Sequence, residues 1–262
     1  MFEEELEFAN EVADAAGDIA LSLFGTDLQV KLKPDRSPVT EADTSIEAMV
    51  RERVRERYPS DAVLGEEGGL EGGGSRRWIV DPIDATKNFA DGIQIWGTLI
   101  ALAVDDHPVL GVVNAPALGE RYEAVRGGGA RLNGRPIRVS RADRLNRAFV
   151  IHGSVELLLE GPYAPSLKEV FREARRNRGF GDFWGHVLVA RGSADAMFER
   201  ELATWDFAAV QVIVEEAGGR VTTFEGGPLE HGSSVVSTNR VLHDEIVARL
   251  KAPGRPGLGE TG

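Results

Sequence analysis

The segment Trp78-Ile79-Val80-Asp81-Pro82-Ile83-Asp84-Ala85-Thr86-Lys87-Asn88-Phe89 constrains this chain more than any other. Its short apolar start, bounded by turn signals, predicts a buried strand over Trp78–Val80. Pro82 has no N–H to give to a sheet ladder, so the strand is expected to stop near Asp81. Ala85–Phe89 reads as the first turn of a helix, with helical φ expected at Ala85. Asp81 and Asp84 then stand at the mouth of a sheet, beside the N–H groups of a helix start. Carboxylates are hard oxygen ligands for Mg2+, and helix-start N–H groups hold phosphate. One stretch thus offers a metal place and a phosphate place side by side.

The surrounding pattern supplies the layers. Residues 2–24 carry Leu6, Ala9, Val12, Ala13, Ala16, Ile19, Ala20 and Leu23 at helical spacing, with Gly25 as a C-cap. Thr40 and Asp43 form an N-capping pattern for a helix that runs to about Arg57 and ends at Tyr58-Pro59. Ala62–Leu64 is a short strand leading into Gly65-Glu66-Glu67-Gly68-Gly69. Segments 96–104, 109–114 and 121–125 alternate between turns, predicting hairpins, and Leu132-Asn133-Gly134-Arg135 is another tight turn. Strands at 148–151, 195–199, 220–224 and 234–237 alternate with helices at 167–176, 184–190, 205–217 and 240–250, which predicts α/β layers. The polar, basic Val139–Arg147 connection places a boundary between an α+β domain over 1–145 and an α/β domain over 146–251. The tail 252–262, rich in Pro and Gly, reads as disordered.

Composition narrows the partners. The 262 residues suffice for a real core, and the formal net charge is -12. That charge repels nucleic acid, anionic membranes and phosphate esters alike at long range, so a phosphate-handling site needs local cations. There are no cysteines and hence no disulfides or thiolate chemistry. The acidic start, Met1-Phe2-Glu3-Glu4-Glu5, lacks the basic region of a signal peptide, and no apolar run approaches the ~18 residues of a membrane span. A cytoplasmic setting fits these features.

The acids can then be gathered. Asp81 and Asp84 lie at the strand-to-helix junction, Glu66 at another strand end, and Asp206 at the start of an apolar helix after Trp205. Each also has an ordinary structural explanation. Asp84 suits an N-cap, Asp43 and Asp206 suit helix starts, and Glu66 suits a solvated loop. A lone Asp-x-x-Asp is a weak signal; its company strengthens it. His186 reads as a packed or capping residue. His107, His152, His231 and His243 have no metal spacing, so no zinc site is expected.

Taken together, Trp78–Phe89, Gly65-Glu66-Glu67, Val39-Thr40-Glu41-Ala42-Asp43, Trp205-Asp206-Phe207-Ala208-Ala209 and Glu216-Ala217-Gly218-Gly219 resemble the motifs of the inositol monophosphatase family, in family order. The resemblance implies an α-β-α-β-α layered sandwich, α+β or α/β with mixed sheets, like that of inositol monophosphatase and fructose-1,6-bisphosphatase. It implies two to three Mg2+ ions and a homodimer acting on a small phosphorylated metabolite, with neither nucleic acid nor membrane as partner. Glu66, Asp81 and the Ile83 carbonyl would hold one ion. Asp81, Asp84 and Asp206 would hold a second, and Asp43 a weaker third. Thr86 and Asp43 would orient the attacking water, and the N–H groups of Ala85 and Thr86 would hold phosphate. Ala85 departs from the family glycine, which puts phosphate-binding strength at issue.

Substrate choice is expected elsewhere. Glu199 matches an acid that contacts substrate hydroxyls in inositol-specific members, or else is a solvated acid. Gly179-Phe180-Gly181-Asp182-Phe183-Trp184 resembles the histidinol-phosphatase branch, as do Lys33–Asp43 and Thr204-Trp205-Asp206. An acid beside aromatic faces suits a flat cation better than a polyol. Asp182 and Trp184 are therefore expected to select histidinol phosphate. The alternatives are that Phe183 and Trp184 pack the core of an inositol-phosphate or broad-specificity phosphatase, or that the chain is a regulatory RNA- or transcription-machinery-binding relative.

Overall fold

A computed structural model describes residues 2–26, 30–32 and 38–251. The branch-like loop residues 33–37 and the tail 252–262 lie outside the described residues. The elements run α1 (Glu3–Leu23), β1 (Lys31–Leu32), β2 (Pro38–Val39), α2 (Glu41–Arg57), β3 (Ala62–Gly65), β4 (Gly69–Glu71), β5 (Arg76–Asp84), α3 (Thr86–Ala90), β6 (Gly97–Val104), β7 (His107–Ala115), β8 (Glu120–Val125), β9 (Gly129–Leu132) and β10 (Arg135–Pro136). They continue with β11 (Phe149–His152), α4 (Val155–Leu159), α5 (Ala164–Glu173), β12 (Arg176–Arg178), α6 (Asp182–Ala190), β13 (Ala196–Leu202), α7 (Thr204–Glu216), β14 (Arg220–Thr222), β15 (Ser233–Thr238) and α8 (His243–Lys251).

Two larger sheets result. One has eight strands in the order β10-β9-β8-β7-β6-β5-β3-β4, and the other five in the order β12-β11-β13-β15-β14. Both are mixed: β3 runs parallel to β5 within an otherwise antiparallel sheet, and β11 runs parallel to β12 and β13. Strand side chains alternate between faces, and the cores follow that alternation. Trp78, Val80, Ile100 and Val112 pack against Val12, Ile46 and Val50 of α1 and α2. Ile79, Leu99, Ala101 and Val113 pack against Phe183, Val187, Ala208 and Val212 of α6 and α7. Beyond those helices, Phe149, Ile151 and Met197 of the second sheet meet Leu188 and Val189 of α6. Its other face packs on Leu158, Leu167, Val170, Ile246 and Leu250 of α4, α5 and α8. This is the expected α-β-α-β-α sandwich. The central helix layer lies so close that a Cβ on Gly111 in β7 would meet the Ala209 Cα of α7 at 2.9 Å.

The central strand corrects one expectation. It does not stop at Asp81 but runs through Pro82 to Asp84. The pairing with β6 shifts register between Asp81 and Asp84, so Pro82 sits where no regular ladder donor is required. The shift has a consequence for the acids. In a regular strand, residues three apart point to opposite faces. Here Ile83 packs on the α1–α2 side, while Asp84 accepts a hydrogen bond from the Phe183 N–H of α6 at 2.7 Å. The bulge thus brings Asp84 to the face of the central helices, the face of Ile79 and Asp81. Short elements β4, β12 and α4 have no periodic signal long enough to be read from sequence.

Candidate active site

A cavity of about 120 Å3 opens where β3, β5 and α3 meet α6, β13 and α7. Glu66, Asp81, Asp84, Asp182, Glu199 and Asp206 line it, with Ile83, Ala85, Thr86, Phe183 and Leu202. No basic side chain lines it, although Lys87 is near enough to act on Asp182, and six acids in one lining favour a cation. Trp184, expected here, turns elsewhere. Its indole N–H donates to Glu120 of β8 at 3.4 Å, and its ring packs on Phe180.

Local structure fixes each acid. Asp81 is buried on β5, and its Oδ1 has no hydrogen-bond partner. Asp206 is the third residue of α7, where one oxygen accepts the Ala203 N–H at 2.7 Å; its helix-start role and its place in the site are both real. Asp43 likewise belongs to the α2 capping box, its Oδ2 accepting from the Thr40 N–H and hydroxyl while Oδ1 stays buried without a partner. It does not line the cavity, though it lies near enough to add to the repulsion felt by Asp81. The Thr86 hydroxyl donates to the Ile83 carbonyl at 2.9 Å.

Burial first, and then neighbouring Glu66 and Asp84, push the Asp81 carboxyl well above the usual carboxylate range. Burial, with Asp182 and Asp206 nearby, does the same to Asp84. Asp206 is pushed up to about 7 by burial, against the lowering hydrogen bond from Ala203 and with Glu66 adding to the rise. Asp182 also rises to about 7, through burial and then the charge of Glu199. So many crowded acids are costly unless a cation joins them.

Among the described residues, no three acidic, histidine or cysteine side chains are gathered tightly enough to hold an ion as they stand. The donor chemistry nevertheless fits Mg2+. The donors are all hard oxygens, and Asp81 Oδ1 and Asp43 Oδ1 are buried without partners. Asp84 and Asp206 each have one oxygen tied to a backbone N–H, so their orientation is set before any ion arrives.

Ala85 brings a second correction. Its backbone is left-handed, with φ 65° and ψ 47°, where helical φ was expected. That region costs a residue with a Cβ about 1–2 kcal/mol and favours glycine. The bulged strand must turn sharply here to start α3.

Two supports escaped the sequence reading. Glu47 of α2 is buried and accepts the backbone N–H groups of Glu67 and Gly68, each at 2.7 Å, while Arg51 donates to the Gly69 carbonyl at 2.7 Å. A Cβ at Gly65 or Gly68 would collide with the Glu47 carboxylate. The glycines flanking Glu66-Glu67 were the available signal for this close approach. The other support is His186, packed as expected but also hydrogen-bonded to Glu199. Glu199 itself is buried rather than solvated, and its Oε1 accepts the Asp182 N–H at 3.0 Å.

A layered α/β fold with a cluster of hard-oxygen acids at its sheet mouth defines a class of metal-dependent phosphatase. The inositol monophosphatase family model matches residues 1–253, and the chain belongs to that family. It is 43% identical to a histidinol-phosphatase of Mycobacterium tuberculosis over 96% of this chain and 100% of that protein. It is 40% identical to an inositol-1-monophosphatase of Rhizobium meliloti over 82% of this chain and 83% of that one. Among solved structures, the extragenic suppressor protein suhB of Bartonella henselae superposes with a TM-score of 0.89 at 32% identity, covering 95% of this chain and 99% of that chain.

Proposed function

We infer that this protein is a Mg2+-dependent phosphomonoesterase whose substrate is histidinol phosphate, cleaved by water to histidinol and phosphate. The observation that carries the choice of substrate is Asp182 at the start of α6, a further acid beside Glu199 in a cavity whose lining holds no basic side chain. A polyol needs hydroxyl partners of either polarity, whereas an ammonium or imidazolium group needs anions. Relatives named histidinol-phosphatase at 40–43% identity over nearly the whole chain support the same choice.

In this reading Glu66, Asp81 and the Ile83 carbonyl would hold one Mg2+ and Asp81, Asp84 and Asp206 a second, while Asp43, behind the cavity lining, would reach a third through its unpartnered Oδ1. Bound there, Mg2+ lowers the pKa of water and neutralises charge on the phosphoryl oxygens. The remaining work falls to the chain itself. The N–H groups of Ala85 and Thr86 hold phosphate oxygens, Thr86 and Asp43 orient the water, and Asp182 and Glu199 hold the alcohol portion. A homodimer, a division of the chain near residue 145 and a cytoplasmic setting belong to the same reading. No helix among the described residues is long and apolar enough to cross a membrane.

The test is phosphate release with and without Mg2+ over histidinol phosphate, inositol 1-phosphate, fructose 1,6-bisphosphate and adenosine 3′,5′-bisphosphate. The expected result is Mg2+-dependent turnover with the highest kcat/KM on histidinol phosphate. Equal rates on inositol 1-phosphate would remove the substrate assignment. No hydrolysis at all, with binding to RNA, would replace the enzyme by a regulatory protein. Light scattering of the purified protein checks the dimer.

A further inference from the structure

Ser237, His186 and Glu199 form a buried chain that ends in the active-site cavity. Ser237 is 0% exposed, His186 1% and Glu199 7%. The His186 ring lies with Nδ1 2.7 Å from the Ser237 hydroxyl and Nε2 3.0 Å from Glu199 Oε2. The placement follows from the layers. Ser237 of β15 stands opposite Met197 of β13, and Glu199 opposite Val235. Met197 and Val235 both face the central helices, so by strand alternation Ser237 and Glu199 do too. His186 reaches down from α6 and bridges the two strands. β13 loses its regular pairing with β15 between Glu199 and Leu202, so the ladder ceases to fix the strand just where Glu199 enters the cavity.

An ionised carboxylate only accepts hydrogen bonds, so the His186 Nε2 carries the proton toward Glu199. With Nε2–H directed to Glu199, Nδ1 is the ring atom that pairs with the Ser237 hydroxyl. Glu199 Oε1 takes the Asp182 N–H, with Asp182 held in the left-handed region at φ 52°. Each Glu199 oxygen is thus fixed by one donor, and lone pairs remain for the cavity it lines.

We propose that His186, oriented by Ser237, is a positioning residue that aims the Glu199 carboxylate, and through it Asp182, at the cationic group of an amine-bearing phosphate ester. The proposal rests on the substrate reading above. It assigns His186 to the discrimination between substrates and not to the hydrolytic step. Loss of the Nε2–H leaves a buried carboxylate short of a donor and free to turn. The amine then loses its partner, while Asp84 and Asp206 keep the backbone N–H groups of Phe183 and Ala203 that hold them.

The experiment measures KM and kcat of the full chain for histidinol phosphate and inositol 1-phosphate in wild type, His186→Phe, His186→Gln and Ser237→Ala. For His186→Phe, KM for histidinol phosphate is expected to rise roughly tenfold, the scale of one hydrogen bond to a charged group. Its kcat should stay within about twofold on both substrates, and KM for inositol 1-phosphate, whose hydroxyls can also donate to Glu199, should rise by no more than about threefold. His186→Gln, which returns an N–H donor, should recover most of the loss. Ser237→Ala should weaken the preference by about threefold, less than loss of the ring itself. Equal losses on both substrates, or a retained preference in His186→Phe, overturn the proposal. Should His186→Phe not fold, an unchanged preference in Ser237→Ala overturns it. A wild-type enzyme that shows no preference fails the substrate reading first and the positioning role with it. Wild-type preference with insensitive variants fails the positioning role alone.

Discussion

The two walls of the cavity are built differently. On one, Asp81 and Asp84 belong to a single strand, and a bulge in that strand is enough to turn both to one side. On the other, Asp182 comes from the start of α6 and Glu199 from β13, tied by a backbone N–H across 17 residues of sequence. The first wall is a local device with two distant additions, Glu66 and Asp206. The second exists only because the second sheet packs on α6. Under the proposed function this difference separates the groups of the reaction from those of substrate choice. Chemistry common to many esters needs a rigid charge cluster, and a strand-to-helix junction provides one. Selection of one ester needs groups that can be changed without disturbing that cluster.

The largest expected effect breaks the first wall. Asp84→Asn removes the charge of a proposed metal ligand and should lower kcat on the order of a thousandfold for every substrate, read by phosphate release. A wild-type rate in that variant would end the metal assignment. Next, Asp182→Ala should raise KM for histidinol phosphate roughly tenfold and leave inositol 1-phosphate nearly unchanged. Equal effects would merge the two walls into one electrostatic unit.

A smaller effect separates the walls by pH. Asp206 and Asp182 are raised from 3.8 to about 7 in the fold. For an acid so raised, the stabilising contribution is full below about 4 and is lost as pH climbs through about 7. Without Mg2+, the melting temperature should therefore fall across this window. In the proposed site Mg2+ would take the place of the protons at Asp81, Asp84 and Asp206, so the rise in Tm on adding Mg2+ should be larger at pH 8 than at pH 5.5. Asp206→Asn should remove much of that difference and Asp182→Asn little of it, as thermal melts with Mg2+ or chelator would show. The smallest change sharpens the first wall. Ala85→Gly relieves a left-handed Cβ and should stabilise by about 0.5–1 kcal/mol in urea titrations, after the greater chain entropy of glycine is set against the relief. A loss of stability would mean that the Ala85 methyl, which packs beside the α1–α2 core, contributes more than its strain costs.

By itself the sequence determined the layering and the candidate acids, and through its resemblance to the inositol monophosphatase motifs it pointed to the reaction chemistry. Acids that follow apolar strands and precede helices are local patterns, and period-two and helical spacing are local as well. That is why Asp81, Asp84, Glu66 and Asp206 could be gathered in advance, and why both sheets and the long helices could be anticipated. The tertiary structure decided what depends on contacts between distant segments. Whether Pro82 ends a strand or sits in its bulge depends on the register with β6. The left-handed turn at Ala85 depends on that bulge. Trp184 went to Glu120 because α6 packs across β8, and Glu47 reached the Glu66 loop because α2 lies over β3. His186 reads in one dimension as an ordinary core histidine. Only the meeting of α6, β13 and β15 gives it Ser237 on one side and Glu199 on the other, because a hydrogen bond between residues far apart in sequence leaves no periodic trace in the chain.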